Sequence, residues 1–156
     1  HVSGRLKVAP EHTSDNVLQI MRKPSFDQFI QFKKIFDSIN QKHQLNQQLI
    51  PYFISSHPGC TLLDMAELAA TIKNLKLKPE QVQDFTPSPM TLATEIYYTG
   101  YHPYTLEPIY SAKTKEEKNA QHQFFFWYQP SNKPAIIAEL KRINRPDIIK
   151  KIYPKD

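Results

Sequence analysis

Cysteine and glycine are scarce in this sequence and long apolar runs are absent, and each of these features excludes a class of structure or site. A single cysteine, Cys60, excludes an internal disulfide and fits a reducing compartment, so we expect a cytoplasmic protein. Only three of the 156 residues are glycine, and we find no Walker loop, dinucleotide fingerprint or hydrolase elbow. No apolar run is long enough to cross a bilayer, and no signal peptide is visible. The sequence therefore predicts no membrane partner and none of these familiar phosphate-binding or hydrolase sites.

The composition that remains is that of one folded domain or a piece of one. Hydrophobic residues make up 40% of the chain and aromatics 12%, which is enough for a buried core. The first residue is His1 and leads directly into an apparent strand, so we expect an excised fragment.

Positive charge is concentrated at the C-terminal end. The net charge is +5, of which the last 24 residues supply +4. Such an end attracts phosphate groups, so nucleic acid is one predicted partner. The alternative, which charge patterning favours, is a pair of helices with solvated lysines and arginines.

Residues 49–61 (LIPYFISSHPGCT) contain the most informative pattern. An apolar stretch with the length of a buried strand ends in a Pro-Gly turn, and Thr61 is then placed to cap a helix beginning at Leu62. Residues 4–9 and 81–85 read as two further strands. A helix with Ser25 and Gln28 as its capping box, and an apolar stripe from Phe26 to Ile39, lies between the first two strands.

Strands separated by helices must run parallel through right-handed crossovers, with both faces of the sheet covered. The sequence thus predicts an α/β fold of about three βα units, belonging to a barrel or to an open sheet. The segment 87–112 is predicted as a long loop. A capping box at Thr114 and Glu117 opens a helix that runs into the aromatic residues 124–128, and two short helices follow at 133–143 and 147–152.

Few residues in these loops are suited to chemistry. Glu11 and His12 follow the first strand, where they either contact a ligand or cap the next helix. Gly59 allows a close backbone approach to a ligand or simply makes a turn, and Cys60 is either a nucleophile or a small buried side chain. Four tyrosines either stack on planar ligands or, as we favour, pack a lid onto the core: Tyr97, Tyr98, Tyr101 and Tyr104.

Four motifs, in this order, resemble the YgiQ family of radical S-adenosylmethionine (SAM) proteins. They are residues 2–13 (VSGRLKVAPEHT), 49–59 (LIPYFISSHPG), 81–89 (QVQDFTPSP) and 97–100 (YYTG). The resemblance implies that residues 1–105 form the later half of a partial (β/α)6 barrel and that residues 106–156 form a helical, basic C-terminal extension. It also implies strand ends that contact SAM, with Glu11 near the ribose and Phe85 near the adenine. The implied cofactor-binding set is Glu11, Ser55, His57, Pro58, Gly59, Phe85 and Pro87.

The same resemblance implies a missing part. Radical SAM enzymes hold a [4Fe-4S] cluster, an iron–sulfur centre, on a Cys-x3-Cys-x2-Cys loop that this sequence does not contain. The resemblance therefore predicts a piece of a radical SAM iron–sulfur enzyme of unknown substrate, with no metal ligands or assigned catalytic residues here and no activity alone. The alternative is a basic α/β module that binds RNA or a protein partner. A half barrel would also leave an open strand edge and an exposed inner face, so we expect the fragment either to self-associate or to cover that surface with its C-terminal helices.

Overall fold

The structure is a computed structural model that describes residues 4–154. Val2 and Ser3 of the first motif, and Lys155 of the basic end, lie outside the described residues. The strands are β1 (Arg5–Glu11), β2 (Gln48–Ser55) and β3 (Gln81–Asp84). The helices are α1 (Asp15–Ile20), α2 (Phe26–Lys42), α3 (Leu62–Asn74), α4 (Leu92–Thr99), α5 (Lys115–His122), a 3-10 turn (Gln123–Phe126), α6 (Lys133–Arg142) and α7 (Pro146–Ile152). Within residues 4–154 no helix combines the length and apolar character needed to cross a membrane.

The three strands form a parallel sheet, as predicted, and their order is β1-β2-β3. The β1–β2 ladder is irregular near its end, where Val8 pairs with Pro51 and Glu11 pairs with Phe53. One extra residue of β1 is therefore accommodated between these pairs. Pro10 and Pro51 both lie at this irregularity, and neither has an N–H to donate to a regular ladder. The extra residue sets where Glu11 emerges at the strand end.

One face of the sheet carries the core. Phe53 is fully buried, and Val8, Leu49 and Val82 pack against the same cluster of helical side chains. The opposite face is more open: Ala9 and Gln83 are exposed, and Tyr52 donates a 2.5 Å hydrogen bond to Gln83 across it. Within the described residues, the covering of both faces that is expected of a parallel sheet is thus not found, whereas an exposed inner face was expected of a half barrel. An α/β fold is confirmed, and the barrel stays a prediction.

Helix α2 departs from its predicted burial. Ser25 caps it as predicted, but its hydroxyl accepts from the Asp27 N–H, and no reciprocal bond from Gln28 completes a box in this part of the chain. Phe26 and Phe29 enter the core, Ile30 packs against it and Phe36 is half-buried. The other members of the stripe face outward: Phe32 is 40%, Ile35 60% and Ile39 48% exposed. The periodicity identified the apolar face correctly, but no described element covers its second half.

The C-terminal helices pack on α3. Helix α7 lies against α3, and the Lys73 ammonium donates to the Ile152 carbonyl at 2.6 Å. Thr61 caps α3 as predicted and forms a capping box with Asp64, and the capping box predicted at Thr114 and Glu117 opens α5. Self-association through an open strand edge remains a prediction. The predicted boundary at residues 105–106 falls between α4 and α5.

The segment predicted as a loop, 87–112, contains a helix. Thr91 caps α4 by accepting from the Thr94 N–H, and Gly100 ends it in the left-handed conformation. Both residues are ordinary helix boundary signals. The density of Pro, Thr and Tyr in this stretch obscured them.

Candidate functional site

A cleft of about 360 Å³ opens where the strands end. It brings together three residues of the predicted cofactor-binding set, Glu11, His57 and Phe85, from three different strand ends. Ile54 of β2 lies in the same wall, and α4 supplies Thr91, Leu92 and Ala93. The carboxyl ends of parallel strands are where α/β proteins gather ligand contacts.

Glu11 presents an incompletely satisfied carboxylate to this cleft. Its backbone has a φ of +66°, in the left-handed region that few non-glycine residues adopt. One carboxylate oxygen lies 3.2 Å from the Lys23 ammonium. The other, Oε2, is buried without a hydrogen-bond partner in the described structure. A buried unpaired acceptor is costly, so this oxygen is suited to a ligand hydroxyl or ammonium.

His57 and Phe85 form the aromatic part of the cleft. Their rings meet edge to face at 5.0 Å between centroids, and Phe85 also contacts Tyr97 at 5.7 Å. The His57 Nδ1 lies 2.9 Å from the Pro58 carbonyl, to which only a protonated nitrogen can donate. Burial lowers the pKa of His57, although the bond to Pro58 opposes this. The ring is therefore neutral near pH 7, with Nε2 as an acceptor.

Ser55 bonds within the protein instead of lining the cleft. Its hydroxyl donates to the Asp84 carboxylate, which also accepts from Nδ1 of His122 at 2.8 Å. Burial tends to raise the pKa of Asp84, but the bonds from His122 and Ser55 outweigh it and the pKa is lowered. The bond to Asp84 raises the pKa of His122. Because the carboxylate lies between serine and histidine, this group joins β2, β3 and α5 rather than activating a nucleophile.

The remaining predicted contact residues lie behind the cleft. Pro58 is buried, and Pro87 is half-buried outside the cleft lining. Gly59 has a φ of +85°, and a Cβ built there would lie 2.2 Å from Cδ1 of Ile20. Its N–H donates to the Tyr110 carbonyl at 2.7 Å. The close approach at Gly59 is thus made by the protein's own chain.

Cys60 has partners that the sequence does not reveal. Its sulfur lies 3.5 Å from Nε2 of His12, and both side chains are fully buried. His12 Nδ1 accepts from the Ser14 N–H at 3.0 Å, just ahead of α1, so the ring proton is on Nε2. Burial lowers the pKa of His12 to about 4 and raises that of the Cys60 thiol. Both groups are neutral, so the pair is structural and Cys60 is not an activated nucleophile.

Gln121 of α5 is a second residue that sequence reasoning missed. Its amide oxygen accepts from the Ser56 N–H and its amide nitrogen donates to the Cys60 carbonyl, both at 2.8 Å. Gln121 therefore closes the loop between β2 and α3 from behind. No local sequence pattern marks this residue, because its partners are 61 and 65 residues away.

The tyrosines do not act as the lid we favoured. Tyr97 packs on Phe85, whereas Tyr98, Tyr101 and Tyr104 are 69%, 53% and 72% exposed. The Arg22 guanidinium lies 5.6 Å from the ring centroid of Tyr104. Tyr98 and Tyr104 line a neighbouring groove, and none of the four tyrosines is part of the cleft lining.

The basic C-terminal end is partly engaged within the protein. Arg145 pairs with Asp147 and Glu67, and Arg142 pairs with Glu139. The Lys133 ammonium lies over the ring of Tyr153. This matches solvated helices with local pairing, and the nucleic-acid alternative stays untested. Residues 4–154 contain no group of three His, Cys, Asp or Glu side chains placed to hold a metal ion.

Comparisons with known proteins give consistent matches. A family model described as a domain of unknown function (DUF3362) matches residues 80–152. A UPF0313 protein of Bacteroides thetaiotaomicron is 68% identical over 99% of this chain, and one of Porphyromonas gingivalis is 66% identical over 99%. A UPF0313 protein of Methanocella arvoryzae is 45% identical over 96%. The chain spans about a quarter of the length of these relatives. The resemblance to the YgiQ family predicted from the sequence is confirmed.

Proposed function

This chain belongs to the YgiQ (UPF0313) family, and on that premise we propose that its strand-end cleft is the SAM-binding side of a radical SAM iron–sulfur enzyme. The observation that carries the proposal is the meeting of Glu11, His57 and Phe85 in one cleft. These residues come from three different strand ends, of which the first and last, at Glu11 and Phe85, are 74 positions apart along the chain, and the family resemblance had assigned all three residues to the cofactor.

The residues fit SAM in chemistry. SAM carries hydroxyl and ammonium donors, and the unpaired Oε2 of Glu11 accepts from such groups. It also carries an aromatic base, for which Phe85 offers a ring braced by His57 and Tyr97. The Nε2 acceptor of neutral His57 adds a further polar contact. The work of this chain is thus to bind and orient the cofactor.

The cluster would come from outside these 156 residues. Cys60 is the single cysteine, and its thiol is buried against His12. Cluster and SAM together would supply one-electron chemistry, so we propose that the isolated chain binds without turnover. This proposal assigns no substrate or partner to the longer protein.

The three methionines provide a direct test, because each lies in a different environment. Met21 lines the cleft, Met90 is fully exposed beside it, and Met65 is buried in the core. In a chain with labelled methionine methyl groups, SAM at millimolar concentration should shift the Met21 resonance and leave Met65 in place. Phe85→Leu should weaken binding several-fold, since it removes one stacking face worth about 1 kcal/mol.

A matched control is Phe36→Leu on α2, a half-buried phenylalanine outside the cleft. It should leave SAM binding unchanged. If SAM leaves Met21 unmoved, or if both phenylalanine variants weaken binding equally, the proposed cleft is not the SAM site.

A further inference from the structure

A second groove adjoins the cleft and shares a wall with it. Arg22, Thr91 and Leu92 line both spaces. The groove has a volume of about 520 Å³ and is completed by Met90, Thr94, Glu95, Tyr98 and Tyr104. A ligand there would lie next to whatever occupies the cleft.

The side chains of this groove are unusually exposed for their type. Met90 is fully exposed, and Tyr98 and Tyr104 present about 70% of their surfaces. Large apolar side chains grouped in this way are typical of a binding surface. The backbone is constrained as well, because Arg22 and Met90 both have positive φ values, 55° and 64°.

The groove also contains the cation Arg22 and the anion Glu95, and these two side chains do not form an ion pair with each other in the described residues. The guanidinium of Arg22 lies over the Tyr104 ring, and neither Arg22 nor Glu95 forms an ion pair within residues 4–154. The N-terminus of α4, which begins at Leu92, adds positive potential near Arg22. A guanidinium with free donors binds a carboxylate in two-pronged fashion, and a carboxylate binds an ammonium.

We propose that this groove binds a zwitterionic aromatic compound of the amino-acid class as the substrate of the adjoining site. Arg22 would hold its carboxylate, Glu95 its ammonium, and Tyr98 and Tyr104 its ring. A nucleotide fits less well. Its phosphate could bind Arg22, but a nucleotide has no ammonium group to pair with the carboxylate of Glu95. The role of this compound as a substrate rests on the proposed function, whereas its binding in the groove does not.

The test uses the full chain and three small probes at millimolar concentration: L-phenylalanine, phenethylamine and 3-phenylpropionate. The last two lack the carboxylate and the ammonium respectively. L-Phenylalanine should shift the methyl resonance of Met90, leave Met65 in place, and bind about five-fold more tightly than either analogue, the preference expected of an exposed charge pair. Arg22→Gln should abolish the preference over phenethylamine only, and Glu95→Gln the preference over 3-phenylpropionate only.

Matched controls are Lys34→Gln and Glu116→Gln, exposed charges on other helices that should leave both preferences intact. The inference is overturned if no probe shifts Met90, if the analogues bind as tightly as L-phenylalanine, or if adenosine monophosphate binds more tightly. It is also overturned if SAM shifts Met90 and competes with L-phenylalanine, since the groove is then part of the cofactor cleft. A SAM response confined to Met21 supports the proposed function by itself, so the two can fail separately.

Discussion

The loop between β2 and α3 has two sides, and they satisfy their polar groups differently. Behind the loop, the Gln121 amide forms hydrogen bonds with the backbone of both Ser56 and Cys60. The two ring nitrogens of His12 contact the Ser14 N–H and the Cys60 sulfur. Toward the cleft, Glu11 keeps an unpaired oxygen and His57 an unprotonated Nε2. The difference shows how a ligand site is positioned: one side holds the backbone in place so that the other side can remain available.

The largest effect on the buried side should come from acid. Because the pKa of His12 is lowered to about 4 in the folded state, only the unfolded state takes up a proton as the pH falls below about 6.5. The free energy of unfolding should therefore drop by up to about 3 kcal/mol between pH 6.5 and pH 4, as read from urea unfolding. His12→Asn, which keeps an acceptor for Ser14, should remove most of this acid step. The exposed His43→Asn serves as the control, and an equal effect there would contradict the assignment.

Removing the amide of Gln121 should be nearly as damaging. Gln121→Leu leaves the Ser56 N–H and the Cys60 carbonyl buried without partners, which should cost about 2 to 3 kcal/mol of unfolding free energy. Gln123→Leu is the matched control, since within residues 4–154 the amide of Gln123 bonds to the Ala120 carbonyl of the neighbouring helix alone, and the variant should lose less than about 1 kcal/mol. Equal losses would mean that the loop does not depend on Gln121.

The two glycines with positive φ allow conformational strain to be separated from crowding. Gly59→Ala meets Ile20, whereas Gly100→Ala meets nothing within 4 Å. Unfolding experiments should show a loss of about 2 kcal/mol at Gly59 against about 1 kcal/mol at Gly100. The double variant Gly59→Ala/Ile20→Ala should be less destabilised than the sum of the two single variants. The difference should be about half of the extra loss of unfolding free energy seen at Gly59. Identical losses at the two glycines would show that Ile20 simply moves aside.

The smallest effect on stability should appear on the cleft side. Glu11→Gln should change the unfolding free energy by less than about 0.5 kcal/mol, because the ammonium of Lys23 is substantially exposed and its pairing is screened. The same variant should reduce the shift of Met21 on adding SAM. A stability loss like that of Gln121→Leu would instead make Glu11 a structural residue and erase the contrast between the two sides.

Sequence reasoning succeeded where the determining interactions are local. Thr61 and Asp64 form their capping box within three residues, β1 follows from an alternating segment, and β2 follows from a short apolar run that ends in a turn. Glu11, His57 and Phe85 could be placed together because parallel strands end at one edge. The pairing of Gln121 with the Ser56 loop and of His12 with Cys60 could not be predicted, because each joins residues 48 or more positions apart without any sequence pattern. Burial of Ile35 and Ile39 was predicted from periodicity alone, which identifies an apolar face but not what covers it.

The irregularity in β1 has a consequence for the cleft. The position of the Glu11 carboxylate depends on how many residues of β1 lie opposite each stretch of β2. Because β1 already accommodates one extra residue opposite β2, a further residue inserted between Ala9 and Pro10 would move Glu11 and every later residue of β1 one step out of the present register. A glutamate would still be present, but it would leave the strand in a different direction, and His12 would lose its place beside Cys60. At this strand end the spacing of the chain therefore carries as much information as the residues themselves, and an insertion that preserves all the polar groups should be more harmful than replacing Glu11.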